Sequence, residues 1–299
     1  MIGLLGLSLA VAAAAAEDKA AAEAAQTAGT TDTLATFTSA SSISMGQNGT
    51  VWVADRGAGH LVRITPDGIS SKVALPGGRP TAVDASGGLR ILVADELEGT
   101  IDVLGLSGDL LMRLRLPASA DEAFTSAPEF LEDQANATRR PSGTAGDVVQ
   151  LASGGLVAVE SSAGFLVFWD ESGRAQRTVA EAGGRRIRPQ HLARTPSGIA
   201  VSEPDRNRIL FFDAFGTFSE QTQLPSTPQG VAASGAEVWV ASSRHLICLS
   251  PDQAAAGPEG CPTQRAILDN PAGSGVVDLA VTAEAFYLLT PRALLRLSR

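Results

Sequence analysis

The chain has 299 residues, 44% of them hydrophobic and only 18% charged, which is ample for a sizeable core. The formal net charge of −9, with Lys19 and Lys72 as the only lysines, argues against general binding to nucleic acid or to an anionic membrane. Gly 31 and Pro 16 suit an all-β chain with many turns.

Residues 1–16 are apolar, end in a run of alanines and are too short for a membrane span, so they read as a signal peptide, although no basic residue precedes the apolar run. Residues 17–32, rich in Ala and Thr, read as a tether. The expected location is therefore periplasmic or secreted, with no membrane span in the mature chain.

From Val51 to Gly68 the chain writes two apolar strands, a polar turn between them and a closing turn at Pro66-Asp67-Gly68. The same phrase returns at 91–108, 156–173 and 199–216, with shorter versions at 238–252 and 286–299. Asp55, Asp95, Glu160 and Glu203 end the first strand of the four full copies, and in each the closing glycine follows 13 residues later: Gly68, Gly108, Gly173 and Gly216. Ser242 and Thr290 take that place in copies five and six. Recurrence about every 40 residues, with a further apolar segment before and after each pair, is the signature of four-stranded propeller blades. The one long step, from Asp95 to Glu160, places an insertion at 117–146, in which 128–140 carries helix start and stop signals. That insertion reads as a lid, a partner surface or a surface excursion.

The sixth copy ends at Arg299 without room for its fourth strand, and Thr33–Thr38 is an unassigned strand-like run. The fold predicted is an all-β, six-bladed β-propeller over 33–299, with four-stranded antiparallel blades and the N-terminal strand closing the last one.

The segments 51–64 and, most closely, 197–216 resemble the NHL repeat, a propeller family similar in fold to lactonase-type (SGL) and strictosidine-synthase-type propellers. The resemblance implies a six-bladed propeller. Since that group holds both enzymes and binding proteins, it leaves the chemistry open.

Several residues are candidates for a site on the face that carries the turns between second and third strands. In this register the channel mouth is ringed by the starts of inner strands, at Thr81, Val148, His191 and Gln229. His191 reads as a general base or metal ligand, or as a rim histidine packed against a neighbouring strand. The acidic series, including Glu160 and Glu203, reads as a ring of carboxylates or as caps of their own turns. Arg185, Arg186 and Arg188 form either an anion-binding run or a solvated loop. Cys248 and Cys261 stand where a disulfide is sterically possible.

The expectation drawn from this register is a non-catalytic binding or scaffold propeller. It would be monomeric, take a protein partner or a small polar ligand, and need no cofactor or metal. The alternative is a lactonase- or lyase-type enzyme with a divalent cation held by inner-strand carboxylates. The set Thr81, Val148, His191 and Gln229 is poor in such ligands.

Overall fold

The structure, a computed structural model, describes residues 31–75, 78–121, 143–242, 245–249, 265–266 and 275–299. The expected leader at 1–16, most of the tether and the helix expected at 128–140 lie outside the described residues.

Strand β1 (Thr31–Thr36) belongs to the last blade. Blade one holds β2 (Ala40–Met45), β3 (Val51–Asp55), β4 (His60–Ile64) and β5 (Ser70–Ala74). Blade two holds β6 (Pro80–Asp84), β7 (Arg90–Asp95), β8 (Thr100–Gly105) and β9 (Leu110–Arg115). Blade three holds β10 (Ala145–Gln150), β11 (Leu156–Glu160), β12 (Phe165–Trp169) and β13 (Ala175–Val179). A small hairpin of β14 (Glu181–Ala182) and β15 (Arg185–Arg186) follows. Blade four holds β16 (Leu192–Arg194), β17 (Gly198–Glu203), β18 (Arg208–Asp213) and β19 (Phe218–Gln223). Blade five holds β20 (Gly230–Ser234), β21 (Glu237–Ala241), β22 (His245–Leu249) and β23 (Arg265–Ala266). Blade six holds β24 (Asp278–Val281), β25 (Ala285–Leu289) and β26 (Ala293–Ser298).

Each blade is an antiparallel meander, and the six inner strands β2, β6, β10, β16, β20 and β24 touch in order until β24 meets β2 again. Blade six is completed by β1, which pairs with β26 from Thr31 opposite Leu297 to Thr36 opposite Ala293. The predicted closure holds, with the strand two residues earlier than the expected Thr33–Thr38. The pairing covers an edge that would otherwise expose unpaired backbone.

The core is not one mass but six clusters, each wedged between two neighbouring blades. Trp52 and Leu61 of blade one meet Ile91 and Leu104 of blade two, and Trp239 of blade five stacks edge-on against Phe286 of blade six at 4.7 Å. A middle strand therefore buries both faces, which is why β11 and β12 are uninterrupted apolar runs rather than alternating ones. Outer strands such as β5 and β19 face solvent and carry the polar residues.

The closing glycines have a backbone reason. Gly68, Gly108, Gly173 and Gly216 all adopt left-handed φ, from +77° to +95°, where a side chain is strained. Copies five and six manage without the acidic residue because their turns are shorter. The Ser242 hydroxyl accepts the N–H of His245, and that of Thr290 accepts the N–H of Ala293.

Candidate functional site

The acidic series caps backbone. Asp55 accepts N–H bonds from Ala58 in its own turn and from Thr38 and Ser39 in the connection arriving from the previous blade. Asp95 does the same with Leu97, Glu98 and Arg79, and Glu160 with Ser162, Ala163 and Thr144. Glu203 accepts from Arg188 N and from the guanidinium groups of Arg206 and Arg208. One carboxylate thus ties each turn to the incoming chain, which places that turn and the inter-blade connection on one face. Glu160 and Glu203, both fully buried, are committed to this work.

The mouth of the channel lies on that face, and the structure brings Thr81, His191 and Gln229 to it. A cavity of about 260 Å³ runs down the channel beside Ser44, Asp84, Asp147 and Asp278. Above it open two more. One, of about 240 Å³, is lined by Thr81, Glu96, Asp147 and His191. The other, of about 490 Å³, is lined by His191, Gln229, Arg56 and Thr227 together with prolines and valines. The Thr81 hydroxyl donates to the carbonyls of Ala94 and Ala145, so it bridges blades two and three.

Arg185 and Arg186 stand exposed on the β14–β15 hairpin, and the Arg188 side chain pairs with exposed Asp205 at 3.1 Å. None of the three lines either upper cavity. Cys248 is disulfide-bonded, while its expected partner Cys261 lies outside the described residues.

One position is corrected. Val148 does not ring the mouth; its side chain is buried between blades two and three, and Asp147 lines the mouth cavity in its place. The cause is a bulge: β10 pairs Ala145 with Glu160 and Val148 with Ala158, so residues 146 and 147 share one partner position. Bulges re-aim side chains in this way, and β2 and β6 carry them at the same height, around Ser41 and Thr81.

Three inner-strand carboxylates follow from the corrected register, and each links neighbouring blades. Asp84 accepts N–H from Gln150 at 2.6 Å, Asp147 from Leu192 at 2.7 Å and Asp278 from Ile43 at 2.9 Å. Burial, with the Asp278 charge adding to it, holds the Asp147 carboxyl well above the usual range. Burial pushes Asp278 up to about 7. His191 stands next to Asp147, Nδ1 to Oδ2 at 3.9 Å, and its backbone N–H donates to Ser202 Oγ. Burial lowers its ring to about 4, so the imidazole is neutral at neutral pH. The two groups are displaced in opposite directions: the carboxyl keeps its proton to higher pH than usual, and the neutral imidazole is free to accept one. Asp147 has a weak sequence signal: one acid in a strand whose register is broken at that point.

A cation held by inner-strand carboxylates does not fit this donor set. Both oxygens of Asp84, Asp147 and Asp278 already accept hydrogen bonds, and among the described residues no three His, Cys, Asp or Glu side chains stand close enough together to hold one ion.

No protein-family model matches the chain, the NHL repeat included, and no curated protein is similar to it in sequence. Its fold is shared with solved structures. Virginiamycin B lyase from Staphylococcus aureus is 13% identical and superimposes with a TM-score of 0.61 over 90% of this chain and 99% of the lyase. A catalytically inactive histidine-to-alanine variant of that lyase, with quinupristin, gives 0.63 at 12% identity over 90% and 99% of the two chains. A gluconolactonase from Xanthomonas campestris gives 0.64 at 12% identity over 92% of each chain. These likenesses correct the expectation of a non-catalytic binding or scaffold propeller. The solved structures named here are described as enzymes, and the case against catalysis rested on a register that hid Asp147. The chain is a six-bladed β-propeller with structural neighbours among the gluconolactonase and virginiamycin B lyase propellers.

Proposed function

We propose that the protein is an enzyme of the lactonase or lyase type, which opens a lactone or ester by acid–base chemistry at the channel mouth. The observation that carries this reading is the pairing of a neutral His191 with Asp147, whose carboxyl burial holds well above the usual range, 3.9 Å apart on the wall of a cavity. In the hydrolytic form, His191 takes a proton from water as the water oxygen bonds to the acyl carbon. The C–O bond then breaks, and the departing oxygen takes the proton of Asp147. Passing the proton back from imidazolium to carboxylate restores the starting pair, and water is the only co-reactant. With a substrate C–H in place of water, the same pair performs an elimination.

Arg56 lines both upper cavities and is suited to polarise the carbonyl. It is held by Glu96, its Nη2 donating at 2.6 Å, and its Nε has no partner. A fold shared with gluconolactonase and virginiamycin B lyase propellers supports the same reaction class, as does the requirement for one histidine in the lyase.

The test is proton release at constant pH with a panel of five- and six-membered lactones and cyclic esters. Ring opening is expected in the wild type, with a loss of 10²- to 10⁴-fold in His191→Ala, the range for a removed general base. A wild-type rate no greater than that of buffer, or an undiminished rate in His191→Ala, would overturn the reading.

A further inference from the structure

The turn between β2 and β3, Gly46-Gln47-Asn48-Gly49-Thr50, lies on the face away from the channel mouth and holds the one Asn-Gly step in the sequence. The other asparagines, Asn136, Asn207 and Asn270, precede Ala137, Arg208 and Pro271. The Gly46 N–H donates to Thr50 O at 2.8 Å and the Gly49 N–H to Gly46 O at 3.1 Å, with Gly49 at φ +69°. This is a three-residue hairpin loop, a turn followed by a left-handed glycine. Blades two and three close the same kind of hairpin with Gly88 at +82° and Gly154 at +88°, bonded back to Ala85 O and Leu151 O. The residue before that glycine is Gly87 in one and Ser153 in the other. The turn therefore dictates the glycine but not the amide in front of it. Asn48 is exposed, and its side chain makes no hydrogen bond among the described residues. A Cβ on Gly49 would meet only the Pro66 ring, at 3.5 Å, so the Gly49 backbone stands in open space.

We infer that Asn48-Gly49 is a self-modifying site, at which the Asn48 side chain passes through a succinimide to aspartate and isoaspartate. The Gly49 nitrogen bonds to Asn48 Cγ and gives its proton to water. The bond from Cγ to the amide nitrogen breaks, and that nitrogen leaves as ammonia. Water then opens the ring. Entry at the side-chain carbonyl yields aspartate; entry at the backbone carbonyl yields isoaspartate, in which the chain runs through the former side chain. One water is consumed and one ammonia released, and no oxidant or other reactant takes part. The nucleophile is freed when the 3.1 Å turn bond opens, at an exposed loop tip where local opening costs least. Isoaspartate adds a backbone atom to a loop whose length sets the β2–β3 register, with Met45 opposite Val51. On β2, the Ser42 and Ser44 hydroxyls accept the N–H groups of Val83 and Ala85 of blade two, and the Ile43 N–H reaches Asp278 of blade six. The modification thus loosens blade one at both of its seams. This chemistry is independent of the mouth and proceeds whether or not His191 is a base.

The test holds the full chain at mildly alkaline pH for weeks, beside the same chain in urea, and weighs the tryptic fragment 20–56, in which Asn48 is the sole asparagine. The fragment from the folded chain should gain one mass unit in ordinary water and three in heavy-oxygen water, because the entering oxygen comes from solvent. Part of the product should accept a methyl group from isoaspartyl methyltransferase. In Asn48→Gln both changes should be absent. The converted protein, separated by its added negative charge, should melt roughly 2–6 °C below the fresh protein, the worth of two turn hydrogen bonds in a chain of this size. A folded-chain fragment that keeps its mass, whatever happens in urea, would overturn the inference, since the turn would then protect the step. The same gain in Asn48→Gln would overturn it too, by placing the change at Gln26 or Gln47, and so would a gain without isoaspartate. An unchanged Tm in the converted protein would overturn the loosening of blade one.

Discussion

The buried channel groups make stability depend on pH in a way that can be worked out. Asp278 has its folded value raised from 3.8 to about 7 by burial. A raised carboxyl favours the folded state fully below pH 3.8, and that contribution is lost as pH rises through about 7. A gap of roughly three pH units corresponds to about 4 kcal/mol, of which about 3 kcal/mol falls between pH 5 and pH 8. Asp147, raised as well, acts in the same direction. His191 has the opposite sign. Its value falls from 6.5 to about 4, so its contribution is present above pH 6.5 and is lost, by about 3 kcal/mol, as pH drops through about 4. From pH 4 to pH 6.5 the histidine therefore offsets one carboxyl, and above that range the carboxyls act unopposed.

The perturbation is Asp278→Asn. The amide removes the titration and relieves Asp147 of a neighbouring charge. It also loses an acceptor for the N–H of Ile43 or of Leu279, a cost of about 1–3 kcal/mol that does not vary with pH. Urea unfolding at constant ionic strength, at pH 5, 6, 7 and 8, separates the two effects. The variant should be less stable at pH 5, and its loss of stability between pH 5 and pH 8 should be smaller than that of the wild type by about 3 kcal/mol. Parallel pH curves for the two proteins would refute the argument that this carboxyl is buried and forced to carry charge.

Two further perturbations probe the frame. Glu203→Ala leaves the buried Arg208 guanidinium without its carboxylate and should cost about 3–5 kcal/mol in thermal unfolding, whereas Glu203→Met combined with Arg208→Met should recover most of that loss. A double variant as unstable as the single one would contradict that reasoning. Deleting residues 1–38 removes β1 and opens the edge of β26; the loss of its ladder should cost about 5 kcal/mol, lower Tm by roughly 10–20 °C and promote association, as read by calorimetry and light scattering.

The frame was legible because it is local and repeated. The step from the acidic residue to its glycine is set by one turn, and that turn is used four times. Even the capping role of Asp55 can be anticipated from the turn beside it. The site was only half legible. His191 and Gln229 announce themselves as polar residues at the heads of apolar strands. Asp147 does not, because a bulge shifts the period of two exactly where the side chain must be assigned to a face. Asp278 is harder still: it looks like a stray acid in an apolar run, and its partner Ile43 lies 235 residues away across the closure of the ring.

The central claim, a base at His191 kept neutral by burial beside an Asp147 carboxyl raised by burial, is tested most directly by the pH profile of kcat/KM for ring opening, which reports the free enzyme. The account predicts an acid limb near pH 4 that disappears in His191→Gln. An acid limb near pH 6.5, or one unchanged in that variant, would contradict it.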